Sequence, residues 1–459
     1  MKQIWLLIVA CICMIACRQR PSAESEILYD LPQMTDSGTL VALTLNSSIS
    51  YFDYRGEPMG FQYELAKQFV QSLGLKLEIK TARNTEDLVH MLLQGEGDFI
   101  AYPLPITKEF KDSVTFCGEG IITHQVLVQR NASKKFKPVK DVTELIGKEV
   151  YAKPGKHLTR LINLDKELGG GILIHRVDND SITTEDLIMQ VSNGTIDYAV
   201  CDNDLARLNK TYYPNLNIDL AVSFDQRASW AVRKTSPLLS EAANRWHDEN
   251  TVSPAYKAST KRYFEISKRT PHGSILSLKD GKISHFDHLF KKYAAEIGWD
   301  WRLIASLAYT ESNFDTTAVS WAGAKGLMQL MPKTAHAMGV PVGKEHHSEE
   351  SVKAACKYLS LTARSFSKVT DPNEKVKFIL GAYNAGIGHV FDAMALAEKY
   401  GKNKYVWDDN VAEYILLKSN EEYYNDPVCK NGYFRGRETF NFVREILSRA
   451  EVYKQKIKH

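Results

Sequence analysis

Beyond its first sixteen residues the 459-residue chain has no apolar run long enough to cross a bilayer, because a spanning helix needs about 20 such residues. Net charge is scarce too. A formal +3 at pH 7 supplies no strong basic field of the kind nucleic-acid binding requires, although a mildly basic surface suits an anionic polymer. Cysteine is sparse, with seven in the whole chain, and the spacings match no zinc pattern. No metal and no cofactor are expected. No short-period repeat of the solenoid kind is present. What remains is ordinary globular material, 44% hydrophobic and 25% charged, long enough for two to four domains with well-buried cores.

The N-terminus carries an address. Lys2 leads into an apolar run from Ile4 to Ala16, too short to span a membrane but suited to the core of a secretory signal. The run ends Met14-Ile15-Ala16-Cys17 and turns polar at once with Arg18-Gln19-Arg20-Pro21. This resembles a bacterial lipobox, with Met14 where leucine is usual. It implies a signal peptide over 1–16, lipidation of Cys17 and a soluble protein tethered by lipid, in the outer membrane and facing the periplasm. An ordinary signal peptide with incidental cysteines is the alternative. Cys117, Cys201, Cys356 and Cys429 remain beyond the anchor. Export permits disulfides without requiring them, and buried free thiols are the simpler reading.

Residues 17–37 are polar and carry little pattern, and read as a tether. From Gly38 the texture becomes α/β. Thr39 to Leu45 is strand-like. Phe61, Leu65, Phe69 and Leu73 recur at helical spacing, and Gly74 stops that helix. Strand, helix and strand come next, through Leu75–Ile79, Leu88–Leu92 and Asp98–Ala101, and the pattern restarts between Val142 and Cys201. Such alternation predicts largely parallel sheets in two similar lobes spanning 38–265. Residues 266–283 hold Lys, Arg, Pro, Gly and Ser without periodicity and form a linker. From 284 to 459 the chain is nearly all helix-like.

In the first half, Gly38-Thr39-Leu40-Val41, Gly60-Phe61-Gln62-Tyr63-Glu64-Leu65-Ala66, Leu92 to Asp98, Thr107-Lys108-Glu109 and Gly194 to Ala199 resemble the periplasmic amino-acid-binding protein family. The resemblance implies a two-lobed, periplasmic-binding-protein-like fold that closes on a small ligand. In that family an arginine after the Thr-x-x triplet clamps the ligand's carboxylate with a bidentate pair. Here Phe110 stands there, and an apolar ring cannot pair a carboxylate. The aspartate that receives the ligand's amine matches Asp202, although an aspartate after a strand is more often a helix cap or turn former. A peptide or amine ligand, or none, is expected in place of a free amino acid.

In the second half, Asp300 can cap a helix on which Ile304, Leu307, Ala308 and Glu311 share a stripe. A carboxyl group on the apolar side, at the helix C-terminus, is favoured in its neutral form. A general acid for glycosidic cleavage needs that form. Taken alone, Glu311 reads better as a surface residue at a fraying helix end, but two motifs further along the chain change the balance. Ala318 to Ala335, with Gly323, Gly326 and Gly326-Leu327-Met328-Gln329, and then Gly381-Ala382-Tyr383-Asn384-Ala385-Gly386, resemble lytic transglycosylases related to goose-type lysozyme. The resemblance implies a mainly α, lysozyme-like domain. Glu311 would be its single catalytic carboxyl group, and Ser320, Gly326, Met328, Gln329, Tyr383 and Asn384 would line the substrate cleft. Flexible Gly323 and Gly326 could bring backbone close to a sugar, and Gln329 could pair an acetamido group. Asp315 is the nearest second carboxylate, with a loop or cap role expected. One departure stands out: the late Glu-Thr-x-x-Tyr-Val segment of that family reads Glu438-Thr439-Phe440-Asn441-Phe442-Val443 here, so Phe442 lacks the family's hydroxyl.

The order of the parts resembles the membrane-bound lytic transglycosylase F family, which joins a solute-binding module to a transglycosylase domain behind a lipoprotein signal. It implies cleavage of the MurNAc–GlcNAc bond to 1,6-anhydromuramyl products, with peptidoglycan as partner and a muropeptide or other small ligand modulating the enzyme. The alternative is a wall- or solute-binding lipoprotein whose catalytic half has decayed, for which Phe442 is the support.

Overall fold

The computed structural model describes residues 29–179, 182–268 and 281–457. The signal peptide, Cys17, the tether up to residue 28 and the linker segment 269–280 lie outside these residues.

The folded part starts earlier than the sequence pattern predicts. Residues Leu31–Ser37, read as tether, form a helix with a capping box at Asp30, and Met34 is fully buried. Asp30 also accepts from the backbone N–H groups of Leu238 and Leu239. A short polar-looking helix of this kind hides its one anchor, Met34, from any periodicity count.

Twelve strands come after it: β1 (Thr39–Leu45), β2 (Phe52–Tyr54), β3 (Glu57–Met59), β4 (Lys76–Ala82), β5 (Phe99–Pro105), β6 (Val114–Thr123), β7 (Gln125–Arg130), β8 (Glu149–Ala152), β9 (Leu173–Arg176), β10 (Tyr198–Asp202), β11 (Leu216–Asn217) and β12 (Gln226–Arg233). They form two five-stranded sheets, β4-β1-β5-β12-β6 and β11-β7-β10-β8-β9, one per lobe. The sheets are mixed rather than largely parallel. β1 runs parallel to β4 and β5, but β12 is antiparallel to β5 and β6, and β10 is antiparallel to β7. The reason lies in the crossing between lobes. β6 leaves lobe 1 and becomes β7 of lobe 2 after a single residue, His124, and β12 returns beside β6. Neither crossing strand has an amphipathic period that a sequence reading can catch.

β2 and β3 make a separate hairpin on lobe 1. Its two-residue turn is Arg55-Gly56, both at positive φ, 55° and 80°. That is the backbone a tight hairpin matching strand twist requires, and Asp53 Oδ1 accepts from Gly56 N at 2.8 Å.

The second half is helical among its described residues. The helix Trp301–Ser312 runs through its core beside the C-terminal helix Gly436–Lys456. Ser306 donates to Ile446 O at 2.8 Å, and Arg302 to Ile457 O at 2.8 Å, fixing the two helices along their length. The halves share apolar packing. Ala322, Ala324, Met331 and Tyr433 of the second half are buried in the core of lobe 1, with Phe52, Met59 and Tyr263. Polar ties reach lobe 2: Tyr433 Oη donates to Glu185 at 2.8 Å, and Arg437 pairs with Asp186 at 2.5 Å.

Candidate active site

Asp300 caps the helix Trp301–Ser312 by accepting from Arg302 N at 2.9 Å. Glu311 is the penultimate residue of that helix, which ends as Asn313 and Phe314 turn the chain at φ 51° and 65°. Only 5% of the Glu311 side chain is exposed. Burial raises its pKa above the ordinary 4.5, against an opposing pull from Arg55. Burial thus favours the neutral acid, while the Arg55 guanidinium favours the carboxylate.

The loop after the helix is tied back to it. Ser312 Oγ donates to Leu327 O at 2.7 Å, and Gln329 Nε2 donates to Ala318 O and Gly326 O at 3.0 and 2.8 Å. Gln329, itself at φ 48°, thus spends its amide nitrogen on closing the loop rather than on holding it open for a sugar. Gly326 has a different reason from the one expected. At φ 73°, a Cβ there would lie 2.4 Å from Glu345 O, so its close approach is to backbone. Gly323 has open space around it. Asp315 Oδ1 accepts from Thr317 N at 2.8 Å and serves the turn.

Glu311, Ser320, Gln329, Asn384 and Phe442 line one cleft of about 430 Å³. Met328 and Tyr383 do not face it as expected. Met328 is fully buried, and the Tyr383 hydroxyl, on a side chain from a residue 3% exposed, donates to Met328 O at 2.7 Å. The two motifs are therefore bolted together behind the cleft. Asn384 Oδ1 accepts from Thr439 Oγ1 at 2.6 Å, joining the second motif to the C-terminal helix. A second carboxylate, Glu438, reaches the same cleft; burial raises its pKa, and Arg435 Nε pairs with it at 2.8 Å.

Sequence reasoning missed the cleft's most telling occupants, which come from the first half. Arg55, at the hairpin tip, places Nη2 at 3.0 and 3.1 Å from the two oxygens of Glu311, and Nη1 donates to Gln329 O at 2.8 Å. Glu311 raises the Arg55 pKa although burial opposes it. Tyr54 and Lys268 line the cleft as well. Lys268 Nζ sits 4.9 Å from the Trp321 ring centre, and burial, with Arg435 nearby, lowers its pKa to about 7. The signal for the hairpin was an Arg-Gly turn between two very short strands, too brief to weigh by periodicity.

In the clamshell, Asp202 is already paired, with Lys156 Nζ at 2.7 Å and His157 Nε2 at 3.3 Å. Burial favours its neutral form, but the partners His157 and Lys156 outweigh it and hold the pKa at about 2. Phe110 packs with Leu43, Leu104 and Val114 of lobe 1. A separate pocket of about 260 Å³ lies where Asn46 and Ser48 of lobe 1, Thr183 and Glu185 of lobe 2, and Tyr424 and Tyr433 of the helical half converge. Among the described residues no cluster of His, Cys, Asp and Glu suited to a metal ion is present, and none of their helices is long and apolar enough to cross a membrane.

Comparison with known proteins matches residues 41–266 to bacterial extracellular solute-binding proteins, family 3, and residues 288–406 to the transglycosylase SLT domain. A membrane-bound lytic murein transglycosylase F of Desulfosudis oleivorans is 32% identical, covering 94% of this chain and 93% of its own. A protein of the same name from Pseudomonas fluorescens is 29% identical over 96% of this chain and 89% of its own. Among solved structures, holo ArgBP from T. maritima is 29% identical, with a TM-score of 0.36, covering 51% of this chain and all (100%) of its own.

Proposed function

Since the chain belongs to the membrane-bound lytic murein transglycosylase F family, a lyase acting on peptidoglycan glycan strands, we propose that Glu311 is its acid/base and that the clamshell module restrains it. Protonated Glu311 gives its proton to the oxygen between N-acetylmuramic acid and N-acetylglucosamine as the C1–O bond breaks. The muramyl acetamido group stabilises the developing cation. Glu311, now a carboxylate, takes the proton of the muramyl 6-hydroxyl as that oxygen bonds to C1, closing the 1,6-anhydro ring. No water is consumed and one carboxyl group suffices, unlike the paired carboxylates of ordinary glycosidases. Ser320, Gln329 and Asn384 contact the glycan, whereas Gly326, Met328 and Tyr383 set the frame that positions them.

The observation that carries the acid/base assignment is burial of the Glu311 carboxyl group in the cleft wall at a helix C-terminus. Restraint rests on Arg55, which occupies both oxygens of that carboxylate and so denies it to a glycosidic oxygen. A small ligand of the clamshell, a peptide from wall turnover in this reading, releases the hairpin by favouring a different disposition of the lobes. Ligand can shift such an equilibrium only by binding the released form more tightly. The protein works in the cell envelope, tethered through a lipid on Cys17 in the outer membrane and facing the periplasm.

Mass spectrometry of products from purified sacculi, with chain beginning after Cys17, tests the chemistry. Anhydromuramyl ends that vanish in Glu311→Gln are expected. Reducing ends would make the enzyme a hydrolase, and equal rates with and without muropeptides would remove the regulatory part.

A further inference from the structure

Trp321 is out of place in its own domain. It lies on the loop between the Glu311 helix and Pro332, yet it is absent from the core of the helical half. Among the described residues its aromatic and cation contacts come from the first half: Tyr54 at 5.3 Å, Tyr263 at 6.0 Å and Phe52 at 6.4 Å between centroids, with Lys268 Nζ over its face at 4.9 Å. At the same time it lines the cleft that contains Glu311, Ser320 and Gln329. A large apolar ring on a cleft wall, whose aromatic neighbours among the described residues belong to the other half, presents its face to whatever occupies the cleft.

The covering residues are informative. Tyr54 lies against Trp321 while its neighbour Arg55 pairs with Glu311. Two consecutive residues of one hairpin therefore fill two stations of the cleft, an aromatic plate and the acid. A β-1,4-linked chain of N-acetylated hexosamines offers the same sequence of features. Each ring carries an apolar C–H face that stacks on an aromatic plate, and the adjoining glycosidic oxygen is what Glu311 must reach. Aromatic plates bind such faces through apolar burial and C–H/π contact while sugar hydroxyls stay in the polar rim.

From this we infer that Trp321 is a glycan-binding residue, stacking beneath a hexosamine ring next to the bond that Glu311 cleaves, and that Tyr54 holds its place in the restrained enzyme. The inference rests on the reading of the Glu311 cleft as the glycan site. Trp321 thereby serves twice, as a docking surface for the hairpin and, once the hairpin leaves, as a sugar platform.

The test uses the full chain after Cys17 in an Arg55→Ala background, so that the Arg55–Glu311 pair is absent from every variant compared. Turnover of soluble, uncrosslinked glycan strands is measured for R55A, R55A/W321F and R55A/W321A. Binding of an N-acetylglucosamine oligomer is followed separately by intrinsic fluorescence and calorimetry. Expected is a rise in KM of about tenfold or more in R55A/W321A with kcat little changed, near-parental KM in R55A/W321F, and loss of the oligomer signal only in the alanine variant. Unchanged KM and oligomer binding in a folded R55A/W321A that still cleaves glycan would overturn the inference and leave the acid/base assignment standing. Trp321-dependent oligomer binding without cleavage by any variant would support the platform and overturn the assignment. Neither binding nor cleavage would overturn both.

Discussion

Arg55 Nη2 lies 3.0 Å from one oxygen of Glu311 and 3.1 Å from the other, although 256 residues separate the two in sequence. Side-chain exposure is 10% for the arginine and 5% for the glutamate, so water screens the pair little. A carboxylate held this way is a poor proton donor. Arg55→Ala should raise the basal rate on sacculi in the absence of any ligand and reduce stimulation by muropeptides, as measured by release of soluble products. A basal rate unchanged from the parent would remove the restraining role of Arg55.

Lys268 gives docking a pH dependence. Burial, with Arg435 adding to it and Glu438 opposing, places the pKa at about 7 against an ordinary 10.5. A base with a lowered pKa binds protons less readily in the docked form than in the separated or unfolded chain. Its contribution is fully favourable above 10.5, declines as pH falls, and is at its least favourable below about 7. The thermal midpoint of the docked chain should therefore drop as pH is lowered across that interval, and Lys268→Met should flatten the slope. An equal slope in the variant would assign the pH dependence to other groups.

Gly326 is a stability position rather than a sugar contact. Alanine there combines left-handed backbone at φ 73° with a Cβ 2.4 Å from Glu345 O, neither of which a flexible side chain can relieve. Gly326→Ala should cost about 3 kcal/mol in chemical denaturation, whereas Gly323→Ala, with open space around it, should cost less.

Phe442 lines the cleft with Glu311, where the resembling family carries a tyrosine. Restoring the hydroxyl with Phe442→Tyr should raise kcat by up to about tenfold, the worth of one hydrogen bond to a charged or reacting group. Steady-state rates in the Arg55→Ala background would read this without interference from docking. No gain would mean that the hydroxyl has no partner here.

Free amino acids should bind poorly to the clamshell. Phe110 offers no partner for a carboxylate, and Asp202 is already held by Lys156 and His157. Isothermal calorimetry with the standard set should give no tight binding. Micromolar affinity for any one of them would show that Asp202 exchanges its internal partners for a ligand amine.

Much of the site was legible because it is local. The stripe Ile304, Leu307, Ala308 and Glu311, the cap at Asp300 and the loop motifs lie close in sequence, and short-range backbone rules place them. The two lobes were legible for the same reason, from helices such as Phe61–Ser72 ended by predictable stops. Other features depend on contacts between distant segments. Met328 and Tyr383 were expected at the sugar, but both are buried, and the Tyr383 hydroxyl donates to the backbone oxygen of Met328 across 55 residues. The antiparallel crossings at β6 and β12 arise from lobe connectivity, which no period of two or 3.6 encodes. Arg55 is the extreme case, a surface-type residue in a turn whose partner belongs to another domain.

The buried seam of Ala322, Ala324, Met331 and Tyr433 in the core of lobe 1 has a consequence for how the molecule comes apart. A protease cutting between the halves would sever the chain without freeing the enzyme, because each fragment would keep the other's apolar surface out of water. The nicked protein would run as one species on a sizing column and as two on a denaturing gel. Liberation has to be achieved by whatever prises the seam open, and not by proteolysis.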